Sequence, residues 1–157
     1  MWEGLQHAAW VTTLQTTRWL YGLVLVVHYL ALFSCVGTIV LLDLRVLGVA
    51  NRNKPLSTFA RHLRLSTWMG FGAAVVSGFL LFATKAEIYA EVTPFRVKLL
   101  IIGLAVMAAL AVEWSVARWD RAPVVPVTAR LLALLSIVLW LGAILAAVEI
   151  PALTGIG

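Results

Sequence analysis

The stretch that decides the fold is WLYGLVLVVHYLALFSCVGTIVLL, which runs from Trp19 to Leu42. It contains no Asp, Glu, Lys or Arg. A helix that spans a bilayer needs about 20 consecutive, mostly apolar residues, with a range of roughly 17 to 25. The stretch is therefore predicted to cross a membrane once as a helix.

Three further apolar runs follow, separated by short polar connections. The second run of the chain begins near Trp68, the third follows Thr93-Pro94, and the fourth ends at Pro151. Proline at the first helical position is common, so Thr93 is predicted to cap the third span. We predict one membrane domain over residues 1–157, with spans at about 19–42, 65–84, 95–114 and 129–150.

The predicted fold class is an all-α membrane protein: a four-transmembrane-helix bundle with a short N-terminal interfacial helix. Residues 2–17 precede the first span, and Trp2, Leu5, Ala9 and Thr13 fall near one face of a helix. Such a segment suits the surface of a bilayer. A disordered tail is the alternative for this segment.

Composition excludes a soluble domain and several other classes. The chain is 62% hydrophobic and 12% charged, with a mean hydropathy of +0.99, whereas soluble domains are roughly a quarter charged. The net charge of +5 comes from Lys and Arg between the apolar runs, which is not the footprint of nucleic-acid binding. Cys35 is the only cysteine, so a disulfide or a multi-cysteine zinc site within one chain is excluded.

The distribution of basic residues predicts the orientation, because Lys and Arg favour cytoplasmic loops. The side with the excess carries Arg45, Arg52, Lys54, Arg61, Arg64, Arg118, Arg121 and Arg130. The other side carries Arg18, Lys85, Arg96 and Lys98. We therefore expect a multi-pass protein of the bacterial inner membrane with both termini in the periplasm.

Small residues mark the predicted helix contacts. Small residues spaced four apart let helices approach closely in lipid. They either seal the bundle or form a homo-oligomer contact. In the second span they are Gly70, Ala73, Ala74, Ser77 and Gly78, and in the fourth they are Gly142, Ala143, Ala146 and Ala147.

His28 is the foremost candidate for chemistry, because polar groups deep in a membrane are costly. It could ligate a haem b or copper, or contact a quinone. Trp140 lies at a similar depth and is a candidate partner at the same cofactor site. A neutral histidine bonded to a neighbouring helix is the structural alternative. His7 and His62 do not match its depth, so a bis-histidine haem within one chain is not predicted.

Two other groups of residues are candidates. Cys35 and Met107 could join His28 as soft ligands of copper(I), although scattered residues of this kind also occur in ordinary packing. Asp43, Arg45 and Glu113 lie near the basic ends of their spans. We predict that they form one structural polar network, with a proton or ion path as the functional alternative.

The residues also carry a resemblance that covers nearly the whole chain. It rests on WLY at 19–21, HYL at 28–30, GTIVLLDLRVLG at 37–48, WMGF at 68–71, SG at 77–78, LF at 81–82, PFRVKLL at 94–100, ARL at 129–131 and SIVLWLG at 136–142. The pattern resembles a bacterial family of small four-span membrane proteins of unknown function. That family is distantly similar to membrane proteins of the copper-resistance D type.

The resemblance implies which positions matter in this chain. It marks His28, Asp43, Arg45, Lys98 and Trp140. The chain departs from the pattern near Glu113, where the family tends to have histidine. It also departs at residues 148–149, where the family tends to have a Gly-Arg-Trp ending. A role that needs those two features is not implied here.

The sequence contains no catalytic triad, phosphate-binding loop or metalloprotease helix, so a non-enzymatic protein is predicted. The leading prediction is an integral membrane subunit or anchor of a larger redox or metal-handling assembly. A small cation transporter, for copper or another cation, is the first alternative, and a purely structural accessory subunit is the second. The expected partners are the lipid bilayer and other membrane subunits or further copies of the chain.

Overall fold

The structure is a computed structural model that describes residues 2–49, 55–122 and 124–154, with side chains as far as residue 147. Arg52, Lys54 and the side chain of Glu149 lie outside this description. Regular secondary structure within the described residues is entirely helical, which confirms the all-α prediction. The helices are α1 (Trp2–Gln6), α2 (Ala9–Thr16), α3 (Arg18–Val46), α4 (Leu56–Ala83), α5 (Ala86–Glu91), α6 (Thr93–Trp119) and α7 (Val127–Thr154).

Four of these helices, α3, α4, α6 and α7, are long and apolar enough to cross a membrane. Much of their apolar surface faces outwards, for example at Phe33, which is 79% exposed, and Met69, which is 65% exposed. Exposed apolar surface on this scale is compatible with lipid rather than water. The chain is therefore a multi-pass membrane protein, as predicted.

The four long helices associate as two pairs. α3 packs along α4 and α6 along α7, while contact between α3 and α7 joins the pairs. Contact between α4 and α6 is slighter. We call the end where α3 and α6 finish the basic end, and the end that carries α1, α2 and α5 the capped end.

The seam between α3 and α4 is closed at glycine residues, as the small-residue pattern predicts. A Cβ added at Gly70 would lie 2.9 Å from the Cys35 nitrogen and 3.0 Å from the Ala31 oxygen, both of them backbone atoms. A Cβ at Gly78 would lie 3.0 Å from Cε1 of His28. These two positions of the α4 face therefore contact another helix of the same chain.

The N-terminal residues form two short helices that pack on the capped end, which confirms the predicted short N-terminal helix. Gln6 Oε1 accepts a hydrogen bond from the Glu87 backbone N–H at 3.1 Å. Gln15 Nε2 donates to the Thr84 carbonyl at 2.7 Å. Side-chain amides at both ends of the segment therefore hold it against the connection between α4 and α5.

Asp120, directly after α6, caps the start of α4. Its two carboxylate oxygens accept hydrogen bonds from the backbone N–H groups of Leu56 at 2.7 Å and Ser57 at 2.9 Å. Burial opposes ionisation of Asp120, but the hydrogen bonds from Ser57 and Leu56, together with the charge of Arg45, outweigh it and lower the pKa. The residue before the helix is Pro55, which has no side-chain oxygen, so the cap comes from another part of the chain.

The predicted cap of the third span is wrong in detail. α6 begins at Thr93 itself, Val92 occupies the capping position, and no side-chain cap bond forms. Proline lies within the first two positions of this helix, where its missing N–H costs nothing. The proline therefore predicts the start of the helix to within one residue.

Candidate functional site

His28 lies on the face of α3 that packs against α4. Its Nδ1 is 2.9 Å from Ser77 Oγ. Ser77 Oγ is also 2.6 Å from the Ala73 carbonyl oxygen, and a hydroxyl has only one proton to donate. Because Ser77 donates to Ala73, we assign the proton of this neutral imidazole to Nδ1, which then donates to Ser77.

This arrangement gives His28 the bonded partner that its structural interpretation requires. The lone pair then lies on Nε2, which is the ring atom available to a metal or an acceptor-seeking ligand. The charge of Lys98 in α6 acts on the ring, so these two residues marked by the resemblance lie within electrostatic reach of each other.

The other candidate ligands point in different directions. Cys35 is 1% exposed and packs with Ile39, Ala105 and Trp140 in the interior. Met107 is 67% exposed on the outward face of α6. No group of three or more His, Cys, Asp and Glu side chains that could hold a metal ion occurs in the part of the chain described by the structure.

A chamber lies inside the bundle, towards the basic end. Its volume is about 30 Å³, and one ordered water needs roughly 10 to 15 Å³ measured in this way. The chamber therefore has room for two or so waters or a small ion, and is far smaller than the roughly 300 Å³ of a cofactor pocket. The polar or sulfur-bearing side chains at its wall are Cys35, Thr38, Asp43, Arg64, Thr67, Trp68, Glu113 and Trp140.

Asp43 is the most unusual of these residues. It is 0% exposed, and neither carboxylate oxygen accepts a hydrogen bond from a described residue. Ser136 in α7 is close enough to interact with this carboxyl group, but its hydroxyl also lacks a hydrogen bond of good geometry within the described residues. An isolated buried carboxylate costs several kcal/mol, so Asp43 needs a proton, a cation or water to satisfy it.

Trp140 presents a second unsatisfied group beside the chamber. Its side chain is 3% exposed, and its indole Nε1–H has no acceptor among the described residues. The indole is a donor only, so a water in the chamber would satisfy it. Trp140 thus lies at the chamber wall, beside Cys35 and Ile39.

Glu113, by contrast, has both carboxylate oxygens occupied. Oε1 is 3.0 Å from Nε of Arg64, and Oε2 accepts a hydrogen bond from Trp68 Nε1 at 3.0 Å. Both partners belong to α4, so these bonds cross the seam in which α4 and α6 make slight contact. The Glu113 side chain is 15% exposed and that of Arg64 is 66% exposed. The ion pair therefore extends from the chamber wall to the surface.

The predicted network of Asp43, Arg45 and Glu113 is only partly visible in this geometry. Asp43 and Glu113 line the same chamber, while the ion-pair partner of Glu113 is Arg64. Arg45 acts through its charge on Asp120 at the same end of the bundle. A single network of all three residues stays a prediction.

Sequence reasoning placed Arg64 among the basic residues at this end without naming its partner, and it did not identify Trp68 and Ser136 as members of the site. Arg64 and Trp68 follow one another at helical spacing, four residues apart, which places both on one face of α4. That spacing was the available signal. The choice of Glu113 as their partner depends on how α4 and α6 are rotated, which the sequence does not display.

The fold and the chamber define the class of the protein: a multi-pass α-helical membrane protein with a carboxylate buried inside its bundle. No protein-family model, curated protein or solved structure matches the chain significantly. The resemblance described above therefore stays a prediction.

Proposed function

We propose that this chain is a small cation transporter that binds its cation at Asp43. The observation that carries the proposal is the fully buried Asp43 side chain, which lines a chamber of water size and makes no hydrogen bond of good geometry through either carboxylate oxygen to a described residue. Ionisable groups inside membrane spans commonly mark ion pathways and proton relays. Of the functions predicted from the sequence, cation transport is the one that a buried carboxylate serves directly.

The chemistry of the chamber supports a proton or another hard cation as the ligand. Hard cations prefer carboxylate, hydroxyl and water oxygens, and the wall offers those of Asp43, Glu113 and Thr38. Copper(I) prefers sulfur and imidazole. Only Cys35 supplies sulfur at the wall, since Met107 is not among the residues that line the chamber.

The orientation is part of the same proposal. At the basic end the described arginines are Arg45, Arg61, Arg64, Arg118, Arg121 and Arg130. The positive-inside tendency supports placing this end in the bacterial cytoplasm, with both termini in the periplasm. Asp43 would then bind its cation in the cytoplasmic half of the inner membrane.

The test is ion flux in proteoliposomes that contain the purified chain. Internal dyes would measure the movement of protons, sodium, potassium and copper(I) under an imposed gradient. We expect flux of at least one of these cations, with proton flux the first candidate. The variant Asp43→Asn should lower that flux by at least tenfold, because an amide cannot carry the charge that neutralises a cation.

Glu91→Gln is the matched control, because it removes one carboxylate from an exposed position at the capped end. It should transport as the wild type does. Asp43→Asn should also be as stable as the wild type or more stable, because it removes a buried charge without changing shape. Absence of flux for all four cations, or equal flux in wild type and Asp43→Asn, would overturn the proposal and favour a membrane anchor or accessory subunit instead.

A further inference from the structure

We infer that Arg64 is a tethered cation that occupies Glu113 and obstructs entry to the Asp43 chamber until an incoming cation replaces it. The inference rests on the proposed function, because it assigns the access route and the control of the same site. We refer to Glu113, Arg64 and Trp68 together as the latch.

The position of the latch is the first argument. Contact between α4 and α6 is slight compared with the contact inside each helix pair, so this seam is where the bundle can part at least cost. The latch spans the seam with two polar contacts of 3.0 Å, both to the carboxylate of Glu113. All three latch residues also line the chamber. Release of the carboxylate would therefore open the chamber on this side.

The difference in exposure within the latch is the second argument. The Arg64 side chain is 66% exposed, while that of Glu113 is 15% exposed. A long side chain that is mostly exposed can leave its partner and keep its charge in polar surroundings. The Glu113 side chain is largely buried and has less freedom to move. Arg64 is thus the movable member of the ion pair. Glu113 is the fixed member, and its carboxylate is the group that an incoming cation would bind.

The charge balance of the chamber is the third argument. Among the residues that the structure describes, its charged lining residues are Asp43, Glu113 and Arg64. With both carboxylates ionised and Arg64 in place, one negative charge is left without a partner. A single added cation or proton balances the chamber, and displacement of Arg64 exposes a second carboxylate along the route. The two acids therefore have different roles: Glu113 receives the cation and Asp43 retains it.

The test uses Cys35, the only cysteine of the chain, as a reporter of access. Cys35 lines the chamber and is 1% exposed. Two methanethiosulfonate reagents of similar size, one carrying ethylammonium and one carrying ethylsulfonate, would be added to the purified protein in detergent. Mass spectrometry would follow the rate of labelling, with Cys35→Ser as the blank.

The expected pattern distinguishes opening of the latch from attraction of a cation. In the wild type both reagents should label Cys35 slowly, because Cys35 is 1% exposed and the chamber of about 30 Å³ is too small for them. Arg64→Gln should raise the labelling rate at least tenfold, with a preference for the cationic reagent because Glu113 is left unpaired. Glu113→Gln should also raise the rate, but with a weaker preference for the cationic reagent than Arg64→Gln shows, because only Asp43 then attracts it.

Arg61→Gln is the matched control, because Arg61 is exposed on the same helix and does not line the chamber. It should label as the wild type does. Trp68→Phe is the milder second variant, since it removes only the indole N–H donor to Glu113 and keeps an aromatic ring. If a charge variant elutes as aggregate in gel filtration, Trp68→Phe decides the test, and faster labelling of its Cys35 supports the latch.

Equal labelling rates in Arg64→Gln, Trp68→Phe and Arg61→Gln would overturn the inference, and so would a cation preference in Glu113→Gln as strong as that in Arg64→Gln. Failure of the inference is separable from failure of the proposed function. If flux depends on Asp43 but the latch variants do not change Cys35 labelling, the transporter proposal stands and the latch is refuted. A labelling response without any flux would show a chamber that opens but does not transport.

Discussion

The substitution Gly70→Ala tests how closely α3 and α4 approach each other. The added Cβ would meet two backbone atoms of α3, the Cys35 nitrogen at 2.9 Å and the Ala31 oxygen at 3.0 Å. Ordinary contact begins at 3.4 Å, so the two helices must separate locally by about 0.5 Å. Backbone atoms cannot rotate away as the end of a side chain can, so the strain spreads along the seam.

Gly72→Ala is the matched control for this change. Gly72 lies in the same helix, and a Cβ there meets nothing within 4 Å. Both substitutions gain the same helix propensity, roughly 1 kcal/mol for glycine to alanine. Overpacking costs typically 1 to 3 kcal/mol. We therefore expect Gly70→Ala to be less stable than Gly72→Ala by about 1 to 3 kcal/mol.

The assay is reversible unfolding in mixed micelles of dodecyl maltoside and SDS, followed by circular dichroism. The difference in the free energy of unfolding between the two alanine variants is the quantity to compare. A difference within about 0.5 kcal/mol, the usual range for a surface change, would refute the reasoning. It would mean that α3 and α4 do not approach to backbone contact at Gly70.

The remaining predictions concern His28 and the orientation of the chain. Ser77→Ala should lower the free energy of unfolding by about 0.5 to 1.5 kcal/mol, because it removes the hydroxyl that accepts from the Nδ1–H group of His28. Ser66→Ala, in a more exposed hydroxyl pair, should change it less; equal losses in the two variants would contradict the assignment. If His28 also ligates a haem or copper, His28→Ala should remove the corresponding absorption band or metal content from purified protein that stays folded. An unchanged absorption spectrum and metal content would mean that His28 has only a structural role. A reporter fused after Gly157 should read as periplasmic, and a cytoplasmic signal would reverse the orientation.

The spans could be predicted because their signal is local. Each depends on the summed apolar character of about 20 consecutive residues, which the sequence displays directly, as between Trp19 and Leu42. The same holds for the small-residue face of α4, since positions 70, 74 and 78 repeat at close to the helical period. The helix ends were harder to place, and Thr93 proved to lie inside α6 instead of at its cap.

The partners of the polar residues could not be predicted, although the residues themselves could. Asp120 caps a helix that begins 64 residues earlier. The ion-pair partner of Glu113 is Arg64, whereas the sequence predicted a network of Glu113 with Asp43 and Arg45. Shared depth in the membrane reduces the number of possible partners but does not identify the partner. The choice depends on which helices are adjacent and which faces they turn to each other.

The sequence by itself thus determined that this protein has four long helices apolar enough to cross a membrane, and which buried polar groups need an explanation. Only the tertiary structure decided that Glu113 is bound on both oxygens while Asp43 faces a chamber with neither oxygen bonded to a described residue. The physical reason is a difference between two kinds of interaction. Hydrophobic transfer into lipid is non-directional and adds up along the chain. A hydrogen bond requires about 3 Å between donor and acceptor and a suitable angle. Each residue along a helix turns the side-chain direction by about 100°, so polar pairing depends on how neighbouring helices are rotated.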